Sequence, residues 1–374
     1  MHFRNILIAA MILSPIAGYP AAPDSAAARS SDWEFLGAPY ITIDPDFGLV
    51  GGIGLGLQKP PYTSMLIHGA VSTKRQSGLT FKGEAGSDKT TLVFTFREWL
   101  NPANIYPNAG ALPDPVAKAL LQRTEIKFSF LHRRTPTFEI GPDIWYEFDQ
   151  GLEPESPDGI PLDVSSIPRY RSGSVAMTGL RARWRTTSAT RPLDGIILDA
   201  ALLAGRADGY EYTVPRLTIA GNLWISAAKP VTDRLRLYGR LRMDAISESP
   251  TSVRYFVGGE NTLRGQPFNR DYGRRLIAAR FQMPIRIARD VTLFTDIAQF
   301  ILPFFPTWRL EMELAPFADF GAVGDPDLGG WKRTRQGYGL GFNIVLPPEL
   351  VFFFDLGYTP GGSALFYFGA GETL

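Results

Sequence analysis

Few side chains in this sequence are equipped for catalysis or metal binding. Histidine occurs at His2, His68 and His132, and cysteine is absent. Without cysteine there is no disulfide, thiolate metal site, cysteine nucleophile or lipoprotein anchor. A hydrolase needs a nucleophile, a base and an orienting group that converge. His132 lies beyond Phe130 on the apolar face of a strand-like stretch, and the pattern places no serine beside it. Separated histidines and scattered acids lack metal-ligand spacing. The run Gly51–Gly56 (GGIGLG) resembles a phosphate loop, but proline and strand follow it where a helix would be needed. The residues therefore predict no catalytic group, no metal and no cofactor.

A different chemistry is offered by Tyr255–Gly273, a glycine-rich stretch holding Gly258, Gly259 and Leu263-Arg264-Gly265. Glycines on both sides of Arg264 let the backbone turn sharply. Folded inward, the guanidinium can meet Asp319 as a charge-assisted pair. Left in solvent, it makes a pair worth about 0–1 kcal/mol. Spacing alone does not choose between these two.

The elements that must position this stretch are strands. From Asp46 onward, segments of about ten residues alternate apolar and polar side chains between turn residues, as in transmembrane barrels. Leu180, Ala182 and Trp184 alternate with Arg181, Arg183 and Arg185; Leu310, Met312 and Leu314 alternate with Arg309, Glu311 and Glu313. The charged sets suit a wet, paired lumen. The opposite sets, with Phe94, Phe96, Phe128, Phe130, Phe352, Phe354 and Tyr358, would leave a large apolar area exposed on a soluble protein. The expectation is an all-β fold, a 16-stranded antiparallel transmembrane β-barrel. Its strands fall near 46–58, 62–72, 78–87, 90–98, 122–133, 137–148, 173–187, 195–207, 212–228, 234–246, 253–263, 273–287, 308–323, 337–346, 350–359 and 363–374. The connections at 99–121, 149–172, 246–252 and 288–307 read as extracellular loops or plugs, the last also as a short interfacial helix.

Length and composition agree. The chain has 374 residues, 45% hydrophobic, with net charge +1, which gives no case for nucleic acid. A mean hydropathy of −0.04 is too polar for a helical membrane protein. Arg4 followed by the apolar run Ile6–Ala17 predicts a signal peptide over residues 1–28, cleaved between 17 and 28. A short periplasmic segment at 29–45 then precedes a barrel at 46–374. If 46–58 is the first strand, it closes the barrel against the last. Gly52, Gly54 and Gly56 would then meet Gly369 and Gly371 in a soft seam, or simply ease strand curvature.

Phe256-Val257-Gly258-Gly259 with Leu263-Arg264-Gly265 resembles the inward-folded loop motif of BamA/TamA-type outer-membrane barrels, the bacterial surface antigen family. Phe317-Ala318-Asp319-Phe320-Gly321 resembles the Phe-x-Asp-x-Gly signature found two strands later, and Pro284-Ile285 the end of the strand between. The likeness runs over nearly the whole expected barrel. Gln266 stands where that family usually has an aromatic, Arg280 and Gln282 where it has an acid and an arginine, and the chain ends on Leu374. The resemblance implies an inward loop with Arg264 held by Asp319, and a barrel without the family's client-receiving POTRA domains. It does not carry over protein insertion as an activity; the expectation is a non-enzymatic role in outer-membrane assembly or protein or lipid translocation, with a passive or gated pore as the alternative and a lipid hydrolase behind both. Implied partners are outer-membrane lipid, a separate periplasmic protein, and the assembly machinery that inserts the barrel.

Overall fold

The computed structural model describes residues 34–371, except 45–47, 60–62, 88, 106–116, 157, 164–171, 187–194, 210–211, 251–253, 260–261, 268–270, 293–295, 297–308, 326–329, 347–349 and 361–363. The expected signal peptide lies outside the described residues. Eleven strands follow one another from the start: β1 (Glu34–Asp44), β2 (Gly48–Lys59), β3 (Thr63–Ser72), β4 (Ser77–Gly86), β5 (Thr90–Ile105), β6 (Ala117–Thr135), β7 (Phe138–Glu155), β8 (Gly173–Arg185), β9 (Gly195–Gly209), β10 (Arg216–Pro230) and β11 (Arg236–Ile246). Each pairs antiparallel with the next.

Two short strands, β12 (Tyr255–Val257) and β13 (Asp271–Gly273), then form a hairpin of their own. The wall resumes with β14 (Arg275–Gln282), β15 (Ile285–Val291), β16 (Leu310–Asp325), β17 (Gly330–Leu346), β18 (Leu350–Tyr358) and β19 (Leu365–Gly371). β14 and β15 are one wall strand. Both pair with β16 in a single progression, Gln282 opposite Phe317 and Ile285 opposite Leu314. Pro284, lacking an N–H, interrupts the ladder between them. The wall therefore has sixteen strands, and the chain is a transmembrane β-barrel with an inward-folded loop.

The faces are inverted relative to a soluble protein. Leu217 is 76% exposed and Leu202 64%, whereas Glu139, Asp149 and Glu313 are at most 1% exposed. Outside a barrel lies hydrocarbon, which accepts leucine. Inside, acids and arginines neutralise one another.

Three sequence expectations are corrected. Residues 34–44 are not a periplasmic lead-in: β1 pairs with β2 along its whole length, from Glu34 opposite Gln58 to Asp44 opposite Gly48. Gly37 and Pro39 break its alternation and hide it in the sequence. Proline suits a strand at the end of a ladder, because it has no N–H to offer a neighbour. Consequently Gly52, Gly54 and Gly56 do not face the last strand; they lie opposite Tyr40, Ala38 and Leu36 of β1. Gly369 and Gly371 lie opposite Phe353 and Val351 of β18. The first and last strands that approach each other, with Cα atoms within 8 Å, are β1 and β19.

The second correction concerns 253–263, expected as wall. Only Tyr255–Val257 is strand, and it belongs to the inner hairpin. One strand too many there offset the one missed at β1, so the count of sixteen stood. Third, residues 288–291 belong to β15, which ends where β1 begins. The connection that follows therefore leaves from the end opposite the β5–β6, β7–β8 and β11–β14 connections, and is not one of their set.

Candidate functional site: the lumenal loop

The β11–β14 connection turns back into the barrel. Its β12–β13 hairpin packs Val257 and Leu263, at most 1% exposed, against Leu276 and Ala278 of β14 and Val323 of β16. This small apolar cluster fixes the base of the loop, and Tyr255 also packs against a larger one built from Trp145, Val175, Met177, Leu203, Ala207, Ala220 and Ile246. The tip is shaped locally: the Gly258 N–H donates to the Thr262 hydroxyl at 3.0 Å, and the Gly259 N–H donates to the Gln266 carbonyl at 2.8 Å. Gly258, Gly259 and Gly265 have φ of 122°, 84° and 89°. Those values favour glycine.

This turn delivers Arg264 into the wall, 1% exposed. Its Nε and Nη2 each donate at 2.8 Å to one oxygen of Asp319, a bidentate fork, and its backbone N–H donates to the same carboxylate at 3.1 Å. Nη1 donates to Asp355 Oδ2 at 2.9 Å and to Gln282 Oε1 at 3.5 Å. The guanidinium carbon sits 3.5 Å above the centre of the Phe317 ring. One cation is thus shared by two buried carboxylates and an aromatic face. That geometry offsets the desolvation of three charges, and removing one partner of such a buried pair costs about 3–5 kcal/mol.

The tip is also held through its backbone. The Gly265 N–H donates to the Tyr367 hydroxyl at 3.2 Å, and that hydroxyl donates to the Gln266 carbonyl at 2.8 Å. Thr359 Oγ1 donates to the Gly265 carbonyl at 2.8 Å. Gln266 therefore contributes a main-chain oxygen at the place where the resembling family has an aromatic side chain. Contact this close requires a wall without side chains. A Cβ on Gly337 would fall 2.1 Å from the Arg264 carbonyl oxygen, and one on Gly357 would fall 2.6 Å from the Gly265 nitrogen.

The structure thus brings Gly258, Gly259, Arg264, Gly265 and Asp319 together, and does not bring Gly52, Gly54, Gly56, Gly369 and Gly371 to one seam. Sequence reasoning missed Asp355, Tyr367, Gly337 and Gly357. A signal for the first existed: Asp355-Leu356-Gly357 repeats the Asp319-Phe320-Gly321 pattern. In both, the acid faces inward and the glycine two residues on makes room for the loop, Gly321 against Val257 and Gly357 against Gly265.

A second ionic network crosses the lumen. Glu84 of β4 accepts from Arg183 at 2.9 Å and Arg185 at 3.2 Å, both on β8, although β5, β6 and β7 stand between them in the wall. Glu139 joins Arg133 and Arg185, and Asp199 joins Arg181 and Arg183. His132 faces outward with Phe128 and Phe130. Ser129 faces inward, where its hydroxyl donates to Asp143 at 2.6 Å. The strand keeps serine and histidine on opposite sides of the wall. Among the described residues no group of three metal-binding side chains occurs.

No protein-family model and no curated protein matches the sequence. Solved structures do match. BamA from Haemophilus ducreyi lacking POTRA domains 1–3 is similar at 11% identity and TM-score 0.53, over 91% of this chain and 70% of that one. CdiB from Acinetobacter baumannii is similar at 14% identity and TM-score 0.53, over 90% and 59%. CdiB from Escherichia coli is similar at 12% identity and TM-score 0.57, over 92% and 63%. The chain spans less than two thirds of either CdiB. At these identities the likeness is one of fold.

Proposed function

We propose that this chain, which shares its barrel fold with BamA and CdiB, works without enzymatic chemistry in the bacterial outer membrane, assisting membrane assembly or passing a protein or lipid client. The observation that carries this reading is the Arg264 lock. It ties an inward loop to β16 through Asp319, to β18 through Asp355 and to β19 through Tyr367, next to the approach of β19 to β1. A loop fastened there couples what occupies the lumen to the closing end of the wall. Outer-membrane lipid surrounds such a barrel, and a separate periplasmic protein is the natural source of a polypeptide client.

The alternative is a passive or gated pore, favoured by a lumen lined with charged and half-exposed polar groups. Planar-bilayer recording of the full chain separates the two. The client-handling reading expects little or no steady conductance, and a stable open-channel current would overturn it. Phospholipid hydrolysis in detergent that is lost in His132→Ala would overturn the non-enzymatic part.

A further inference from the structure

On the lumenal face between β10 and β14, positive charges are set against one another. Arg240 of β11 lies directly opposite Arg280 of β14 in the ladder, and Arg242 follows two residues later on the same face. Like charges directly across a strand pair destabilise it. Their acids are already engaged. Asp244 pairs with Arg242. Asp319 is forked by Arg264 and lies 3.7 Å from Arg280 Nε. Asp199, opposite Trp224, is held by Arg181 and Arg183. Among the described residues no carboxylate is within ion-pair distance of Arg240.

The surroundings make this a built recess. The Arg240 guanidinium lies 3.7 Å from the centre of the Trp224 ring, and that of Arg242 lies 5.3 Å from it. Trp224 faces the lumen and is 37% exposed, so part of its ring is reached by solvent. Ser226 is directly opposite Arg240 on β10, and its buried hydroxyl has no hydrogen-bond partner. A neutral hydroxyl donor, an unpaired guanidinium and two further arginines on one surface suit a group with several acceptor oxygens and negative charge.

We propose that Arg240, Arg242, Arg280 and Ser226, over the Trp224 ring, form a lumenal binding site for a phosphate group. Guanidinium forks match phosphate oxygens bidentately, and Ser226 supplies a donor to a further oxygen. The phosphate arrives either on a phospholipid headgroup or as a soluble phosphate compound.

The test uses full-length protein folded in dodecyl maltoside and titrated with inorganic phosphate at constant ionic strength set by chloride. The expected result is a saturable change in tryptophan emission and a rise in thermal midpoint. Arg240→Gln removes the like-charge opposition, so it is expected to stay folded, with an unchanged or higher midpoint without phosphate. It is expected to bind phosphate at least about tenfold more weakly. Ser226→Ala leaves every arginine in place and is expected to weaken binding severalfold. Trp224→Phe is expected to lose the emission change and keep the thermal shift. In dodecyl maltoside micelles, which hold no phosphate, an Arg240-dependent thermal shift on adding phosphatidylglycerol identifies the headgroup as source; a response to inorganic phosphate alone identifies a soluble one. No saturable response to either probe, or equal responses from the native chain and Arg240→Gln, overturns the site.

Discussion

Arg264 Nη1 donates to Asp355 Oδ2 at 2.9 Å across 91 residues of chain, and it does so while the other arm of the same guanidinium grips Asp319. The lock is therefore a triad. Arg264→Ala takes the shared cation from two buried carboxylates, leaving Asp319 with only Arg280 at 3.7 Å, whereas Asp319→Ala leaves the cation still bonded to Asp355. Arg264→Ala is expected to cost about 3–5 kcal/mol and Asp319→Ala less. Because both changes remove one interaction, the double variant should fall short of their sum by about 1–3 kcal/mol. Urea unfolding in detergent measures all three, and strict additivity would remove the coupling.

The close approach of loop to wall gives a steric prediction that does not depend on charge. Gly337→Ala places a methyl 2.1 Å from the Arg264 carbonyl oxygen, a backbone atom that cannot swing away. The loop tip must leave its seat, at a cost of about 1–3 kcal/mol or more. Gly221→Ala, on β10, meets nothing within 4 Å and is expected to be neutral. Limited proteolysis reports the difference: cleavage between Gly258 and Gly265 should accelerate in Gly337→Ala and stay at the native rate in Gly221→Ala.

What could be read in the sequence followed from local pattern. Leu180, Arg181, Ala182 and Arg183 alternate so cleanly that their faces were assignable from residue type, and Leu180 is indeed exposed while Arg183 is buried. The first strand was illegible because Gly37 and Pro39 suppress alternation in Glu34–Asp44, and only its neighbour β2 supplies the ladder that makes it a strand. Tyr255–Val257 has strand character but pairs with Asp271–Gly273 and not with the wall, a distinction no local pattern contains. The Arg264–Asp319 contact was one of two open readings of a spacing. Asp355 left a trace only as a second Asp-x-Gly triplet, and Tyr367 left none, because its meeting with the loop is set by barrel curvature. The cross-lumen link from Glu84 to Arg183 was hidden for the same reason.

Tyr367 tests how far the tip depends on main-chain bonding. Its hydroxyl accepts from the Gly265 N–H and donates to the Gln266 carbonyl, both buried. Tyr367→Phe retains the ring and leaves the Gly265 N–H unsatisfied, while the Gln266 carbonyl keeps its bond from the Gly259 N–H. A loss of about 1–3 kcal/mol is expected, with native heat-modifiable mobility retained at room temperature because the Arg264 triad is intact. Amide hydrogen exchange at Gly265 should rise in this variant. Unchanged exchange would show that the hydroxyl is dispensable.

Glu84 and Glu153 set two ion pairs of nearly equal length against each other. Glu153 accepts from Arg75 at 2.7 Å, but both side chains are more than 60% exposed. Glu84 accepts from Arg183 at 2.9 Å and Arg185 at 3.2 Å, with all three side chains at most 21% exposed. Distance alone would rank the first pair higher; solvent screening reverses the order. Glu153→Gln is expected to leave stability essentially unchanged. Glu84→Gln keeps the shape but withdraws charge from two guanidiniums that have given up part of their water, so a loss of about 1–3 kcal/mol is expected. The lumenal effect should persist in high salt, since water and ions reach this network poorly, while Glu153→Gln should stay neutral there. Urea midpoints of both variants at low and high sodium chloride decide the matter. Equal shifts, or a Glu84→Gln effect that salt abolishes, would mean the cross-lumen network is as solvated as the surface pair.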